Sequence, residues 1–101
     1  MMKSIVIAVS ALLVLASPAT ATGRYKCETV SKEDWLSKEA LTKMLTGQGW
    51  SVRFMKEDGG CWEVYGTTPE GQRVEAYFHP SKGTKLLVAQ RGKILFRAKE
   101  K

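Results

Sequence analysis

Two cysteines, one histidine and a pair of glutamates are the residues of this 101-residue chain whose types invite chemistry. Cys27 and Cys61 lack a C-x-x-C spacing, and a single His, His79, cannot complete a zinc site beside them. With two cysteines only one intramolecular pairing exists, and a disulfide is the expected state if the chain meets an oxidising compartment. It closes a loop of about 35 residues, worth on the order of 4 kcal/mol in the chain-entropy model. His79 precedes Pro80 and reads as a turn residue. A Ser–His arrangement would also need an orienting carboxylate and an oxyanion site, and no sequence context marks any serine as a nucleophile. Glu63 and Glu75 fall on one face of a strand pair, the arrangement used for acid–base work. Each has a cationic or tyrosine neighbour, so a salt-linked face is the expected reading. Glycines stand at hairpin turns and not before helices, so no phosphate loop is expected. No catalytic residue, metal ligand or cofactor site is assigned.

The compartment follows from the leader. Fifteen of the first 21 residues are apolar, against 29 of the remaining 80, and all nine aromatics lie in the 80. Lys3, the run Ile5–Ala16 and the small-x-small tripeptide Ala19-Thr20-Ala21 make a secretory signal peptide over residues 1–21, cut after Ala21. Twelve helical residues rise ~18 Å, short of the ~30 Å hydrocarbon core, so a membrane anchor is not expected. No later stretch could span a membrane. The mature product should be soluble, exported, and periplasmic or secreted.

Residues 22–34 are polar and read as an extended arm fixed by Cys27. Ser37 is a good N-cap for a helix over Lys38–Thr46, with Leu36 and Leu41 as hydrophobic staple and Glu39 in the first turn. Ala40, Leu41, Met44 and Leu45 form its apolar stripe, and Gly47 and Gly49 end it. From Trp50 onward the period is two. Glu57-Asp58-Gly59, Pro69-Glu70-Gly71, Ser81-Lys82-Gly83 and Gln90-Arg91-Gly92 each end in Gly, as three-residue hairpin loops do. That assumption sets Phe54 opposite Trp62, Val52 opposite Val64, Trp50 opposite Gly66, Trp62 opposite Phe78, Val64 opposite Ala76, Phe78 opposite Leu86 and Val88 opposite Ile94. The fold expected is α+β: one short helix on one face of a four- to five-stranded antiparallel β-meander, occupying residues 35–101.

The open face would then carry Arg53, Met55, Glu63, Tyr65, Arg73, Glu75, Tyr77, Leu87 and Leu95, with Arg53 beside Glu63 and Tyr65 beside Glu75. Cys61 shares that face by parity, which draws the arm along it. Arg53, Tyr65, Tyr77, Leu87 and Leu95 are the candidate partner face, since Tyr and Arg are common interface anchors. The alternative is that the arm shields them.

Trp35-Leu36-Ser37-x-Glu39-Ala40, Gly49-Trp50-x-Val52, Asp58-Gly59-Gly60-Cys61-Trp62-Glu63-Val64-Tyr65, then Gly71-Gln72-Arg73-Val74-Glu75-Ala76-Tyr77-Phe78 with Pro80-Ser81-x-Gly83, resemble a PepSY-like domain, a small exported domain related to peptidase propeptides. The resemblance covers about Trp35 to Leu87. It implies a helix-plus-antiparallel-sheet fold, an envelope location and a role in binding or restraining peptidases without catalysis. His79 departs from the acidic residue usual before Pro80, and the resemblance does not explain the segment after Leu87.

That segment holds the charge. The chain carries +6 overall. Lys82–Lys101 holds seven cationic residues and one anion, whereas residues 22–81 carry eight cations and nine anions. Lys85, Arg91, Lys93, Arg97 and Lys99 form a candidate basic patch on the last strand. They either attract an anionic envelope surface or guard a sheet edge against pairing. Nucleic acid is not an expected partner of an exported protein. The expected function is a non-enzymatic exported binding module whose partner is an envelope or secreted protein, a peptidase among the candidates. The alternative is a cationic surface-association protein acting through its C-terminal strand.

Overall fold

Ser37 begins the one α-helix as its sequence context requires: its Oγ accepts from Ala40 N–H at 3.0 Å, satisfying one of the open donors of the first turn. The computed structural model describes residues 23–99. The signal peptide expected over residues 1–21 lies outside the described residues. A single 3-10 turn, Lys32–Asp34, interrupts the arm expected to be extended throughout. The helix, α1, spans Lys38–Gly47 and is followed by five strands, β1 Ser51–Asp58, β2 Cys61–Thr67, β3 Arg73–Phe78, β4 Lys85–Gln90 and β5 Lys93–Arg97. They form one antiparallel sheet in the order β1-β2-β3-β4-β5, so the α+β meander is the fold, with all five strands formed.

The helix lies against β1. It buries Leu41 and Leu45, while Ala40 and Met44 of the expected stripe stay exposed or nearly so. These leucines join Trp50, Met55, Trp62, Val64, Val74, Ala76, Phe78 and Val88 in one core. Aromatic edges set its geometry: Trp50 meets Phe78 at 5.4 Å and Trp35 meets Trp62 at 5.2 Å, both T-shaped. Trp62 Nε1–H donates to Leu36 O at 2.9 Å, and Trp35 Nε1–H to Val30 O at 2.9 Å, so neither indole is left unpaired.

The β2–β3 register is the expected one, with Trp62 opposite Phe78 and Val64 opposite Ala76. The other hairpins differ. The β1–β2 loop is two residues long, not three. Gly59 and Gly60 both have positive φ, 61° and 81°, and Asp58 pairs with Cys61. Both central residues of that turn need the left-handed region, which glycine enters without a Cβ clash. Shortening the loop by one residue moves β1 along β2 and exchanges its faces. Met55, expected on the open face, is 5 % exposed in the core opposite Val64. Phe54, expected in the core opposite Trp62, is 55 % exposed and lies opposite Tyr65. A bulge at Arg53 then restores Val52 to the core side opposite Gly66, where Trp50 was expected. Gly66 has no room for a Cβ, because the Ser51 carbonyl and the Val52 Cα at 3.2 Å press on it.

Arg91-Gly92 is likewise a two-residue turn, with φ of 50° and 82° and Gln90 opposite Lys93. A second bulge between Ile94 and Phe96 leaves Val88 opposite Phe96, not Ile94. A shift after Tyr77 places Phe78 opposite Lys85 instead of Leu86, while Ala76 lies opposite Val88. Because Met55 and not Phe54 is in the core, Met55→Ala is expected to cost about 2–5 kcal/mol and Phe54→Ala about 0.5 kcal/mol or less, measured by urea denaturation. The reverse order would restore the three-residue loop.

Candidate functional site

The open face of the sheet divides into a covered half and a free half. Cys27 and Cys61 form the expected disulfide, with a Cα–Cα distance of 5.4 Å. Cys27 N–H donates to Gly59 O at 2.8 Å, so the arm runs along the two-glycine turn. A Cβ on Gly59 would strike the Tyr25 carbonyl. The arm's Tyr25 packs on Tyr77, ring centroids 6.2 Å apart, and the Arg97 guanidinium lies 6.0 Å from the Tyr25 ring on its way to solvent. Cys61, Tyr77, Leu87 and Ala89 are fully buried beneath.

Asp58 anchors the start of the arm. Its Oδ2 accepts from the Tyr77 hydroxyl and from Gly23 N–H, both at 2.6 Å, and the Tyr77 hydroxyl accepts from Arg24 N–H at 3.1 Å. Burial, then the bond to Asp58, pushes the Tyr77 phenol well above its ordinary value. Farther along, His79 is 8 % exposed and is more than a turn residue. Its Nδ1 accepts from Ser81 N–H and Lys82 N–H at 3.2 and 3.1 Å, which leaves Nε2 to donate to Glu28 Oε2 at 3.0 Å. That bond holds the Glu28 carboxyl below the usual carboxylate range. The tie is therefore in place above the ordinary glutamate range and is lost as pH falls through the lowered value.

Of the candidate partner face, Tyr77 and Leu87 are thus closed off under the arm. Arg53 and Tyr65 lie beyond it, where the Phe54 ring stands 5.6 Å from that of Tyr65. Leu95 is elsewhere: the β5 bulge places it beside Phe96, Trp50, Lys85 and Val88 in a groove of about 220 Å³ on the helix side. The basic residues divide similarly. The Lys85 ammonium lies 4.4 Å from the Phe96 ring on the helix side, Arg97 points to Tyr25 on the other, and Arg91 joins Arg53 and Arg73 in a groove of about 300 Å³. Lys93 and Lys99 are exposed.

Glu63 is fully buried between Lys56 and Tyr77 on neighbouring strands, not beside Arg53 as expected. Neither carboxylate oxygen has a hydrogen-bond partner, and Lys56 Nζ comes no closer than 4.0 Å. Burial therefore raises its pKa, and the nearby Tyr65 hydroxyl only partly offsets this. Tyr65 itself is pushed up to about 12, by burial and by the charge of Glu63. Glu75 keeps its expected place opposite Tyr65, with Oε1 buried and unpartnered. Among the described residues no group of three or more His, Cys, Asp or Glu could hold a metal ion, and no helix is long and apolar enough to cross a membrane.

Sequence reasoning missed Phe54, Phe96 and Asp58. The signal for the first and third was the Gly59-Gly60 pair, which favours a two-residue turn as strongly as Asp58-Gly59 suggests a longer one. For Phe96 no local signal marks the bulge.

The family model described as peptidase propeptide and YPEB domain matches residues 5–86. That is more than half of the chain, which therefore belongs to this family. No curated protein and no solved structure matches it.

Two outcomes test the covered half. Because the folded pKa of Glu63 is raised, the native state binds the extra proton, and stability falls as pH rises from the ordinary value of 4.5 through the raised one. Glu63→Gln is expected to raise the melting temperature at pH 7, with the gain vanishing below the ordinary value, as read by calorimetry across pH. Reduction of Cys27–Cys61 is expected to lower stability by about 2–4 kcal/mol in denaturant titrations with and without reductant.

Proposed function

From membership of the peptidase propeptide and YPEB family we propose that this chain is an exported, non-enzymatic module that binds a protein partner, a peptidase among the candidates, through β5 and the groove beside it. Export is supported by the apolar leader, by the disulfide, and by the location typical of the family. The observation that carries the choice of surface is the exposure of three consecutive large apolar residues on an edge strand. Ile94, Leu95 and Phe96 are 39, 40 and 38 % exposed, and β5 has a paired neighbour on one side only. Such an edge offers unpaired backbone donors and acceptors to an added strand, with side-chain pockets supplying selectivity. The groove under Leu95 and Phe96 is such a pocket, since α1 packs on β1 and leaves this end of the sheet to Trp50, Val88 and Lys85. β5 also lies beyond the family match, which ends at residue 86, so it is where this chain would be selective within its family.

Affinity capture from the envelope fraction is expected to retain a protein that a Leu95→Ala/Phe96→Ala double variant loses, and excess free domain should lower the peptidase activity of the eluate. Equal recovery by both forms would remove β5 as the surface. The exposed Lys93 and Lys99 favour a second reading, association with an anionic envelope surface. That mode would weaken steeply with salt and a packed apolar contact much less, so vesicle binding of a Lys93→Gln/Lys99→Gln variant across ionic strength separates the two.

A further inference from the structure

The free half of the open face carries a second groove whose chemistry the binding surface on β5 does not use. Arg53, Arg73 and Arg91 line it, around Tyr65, Glu75 and Gln90. These arginines come from three separate places in the chain: the bulge in β1, the start of β3 and the β4–β5 turn. None of the ion pairs among the described residues uses any of them; those pairs are Lys32–Glu57, Lys56–Glu63 and His79–Glu28. Three guanidinium groups around one groove repel one another, and the single carboxylate there leaves an excess of positive charge. The balance calls for an anionic ligand, and the planar fork of Arg suits a carboxylate.

The backbone adds a second observation. Arg91 has φ of 50°, in the left-handed region, and is the single described non-glycine residue with positive φ. Before a glycine in a two-residue hairpin, Asn, Asp or Gly is the favoured residue. An arginine there is held at a conformational cost, and strain of this kind collects where a side chain is used. Gln90 steadies the same corner, with its Nε2–H donating to Arg73 O at 3.0 Å.

Glu75 decides which anion. Glu75 lines the groove and its buried Oε1 accepts no hydrogen bond, so a carboxylate with acceptor capacity to spare stands beside the donors. Sulfate has no donor to offer and phosphate only its P–O–H, and both are repelled by that carboxylate. A peptide segment brings both, a side-chain carboxylate for the arginines and an amide N–H for Glu75. The exposed Phe54 against Tyr65 adds an apolar wall for the neighbouring side chain. We propose that this groove is a binding site for an acidic peptide segment, its carboxylate held by Arg53, Arg73 and Arg91 and its backbone N–H taken by Glu75. The site stands apart from β5, and its test does not depend on the surface proposed there.

The test is titration of the isotopically labelled, disulfide-bonded protein as exported with an acetylated hexapeptide of alternating glutamate and valine. Its glutamine counterpart and inorganic phosphate serve as the other two probes, and arginine Nε–H and backbone amide signals are followed. The expected result is saturable binding that shifts the signals of Arg53, Arg73, Arg91 and Glu75, with the glutamine peptide weaker by about tenfold or more. Arg91→Asn is expected to melt no lower than the parent, because Asn suits the turn, and yet to bind the acidic peptide about fivefold more weakly or worse. Equal binding of the two peptides, tighter binding of phosphate, shifts confined to β5, or unchanged affinity in Arg91→Asn would each overturn the site.

Discussion

An antiparallel strand that slips by one residue exchanges its two faces, and in this protein a pair of glycines decides which way β1 falls. The tight turn at Gly59-Gly60 sends Met55 into the core and Phe54 out to Tyr65. It also presents the Gly59 carbonyl to Cys27 N–H and sets Cys61 where the disulfide can close. The core, the path of the arm and the composition of the open face all follow from this one corner. The bulge at Arg53 is its consequence: with the lower part of β1 displaced, one extra residue returns Val52 to the helix side.

The arm turns the second face of the sheet from a surface into a second, smaller core. A one-sided sheet would leave Tyr77 and Leu87 in water, and a small domain has little apolar area to spare. The disulfide, the Asp58–Tyr77–Gly23 bonds and the Glu28–His79 pair fasten the arm at three points along its length. Polar groups are retained under it at a cost, with the Glu63 carboxylate buried without a hydrogen bond and its ion pair to Lys56 as long as 4.0 Å. What stays open lies at the margins: β5 with its apolar triplet, and the arginine-lined end beyond the arm. Neither groove is lined by Cys27 or Cys61, although Arg97 of β5 reaches the arm at Tyr25.

Membership of the peptidase propeptide and YPEB family fits this division. The matched region supplies helix, β1 to β3 and the turn that His79 organises. The strand that completes the sheet lies past it, within the segment Lys82–Lys101 that holds seven cations and one anion. Lys85 and Arg97 spend part of that charge on aromatic rings on opposite faces, so cationic side chains here also cover apolar surface.

The amino-acid sequence alone was enough for the helix and its Ser37 cap, an antiparallel meander of four or five strands, the central β2–β3 register and the cysteine pairing. Each of these rests on a local signal: a capping residue, a period of two, a proline-glycine loop of unambiguous length, or the arithmetic of two cysteines. Only the tertiary structure settled the faces of β1 and β5. A run such as Glu57-Asp58-Gly59-Gly60 supports loops of two or three residues with nearly equal local cost, and Gln90-Arg91-Gly92 admits both too, the shorter one at a conformational cost in Arg91. The choice is made by packing that is distant in sequence, where the arm presses on Gly59, the Ser51 carbonyl on Gly66, and Phe96 lies opposite Val88. The burial of Tyr77 and the gathering of three arginines were decided the same way, because contacts between segments tens of residues apart leave no periodicity to read.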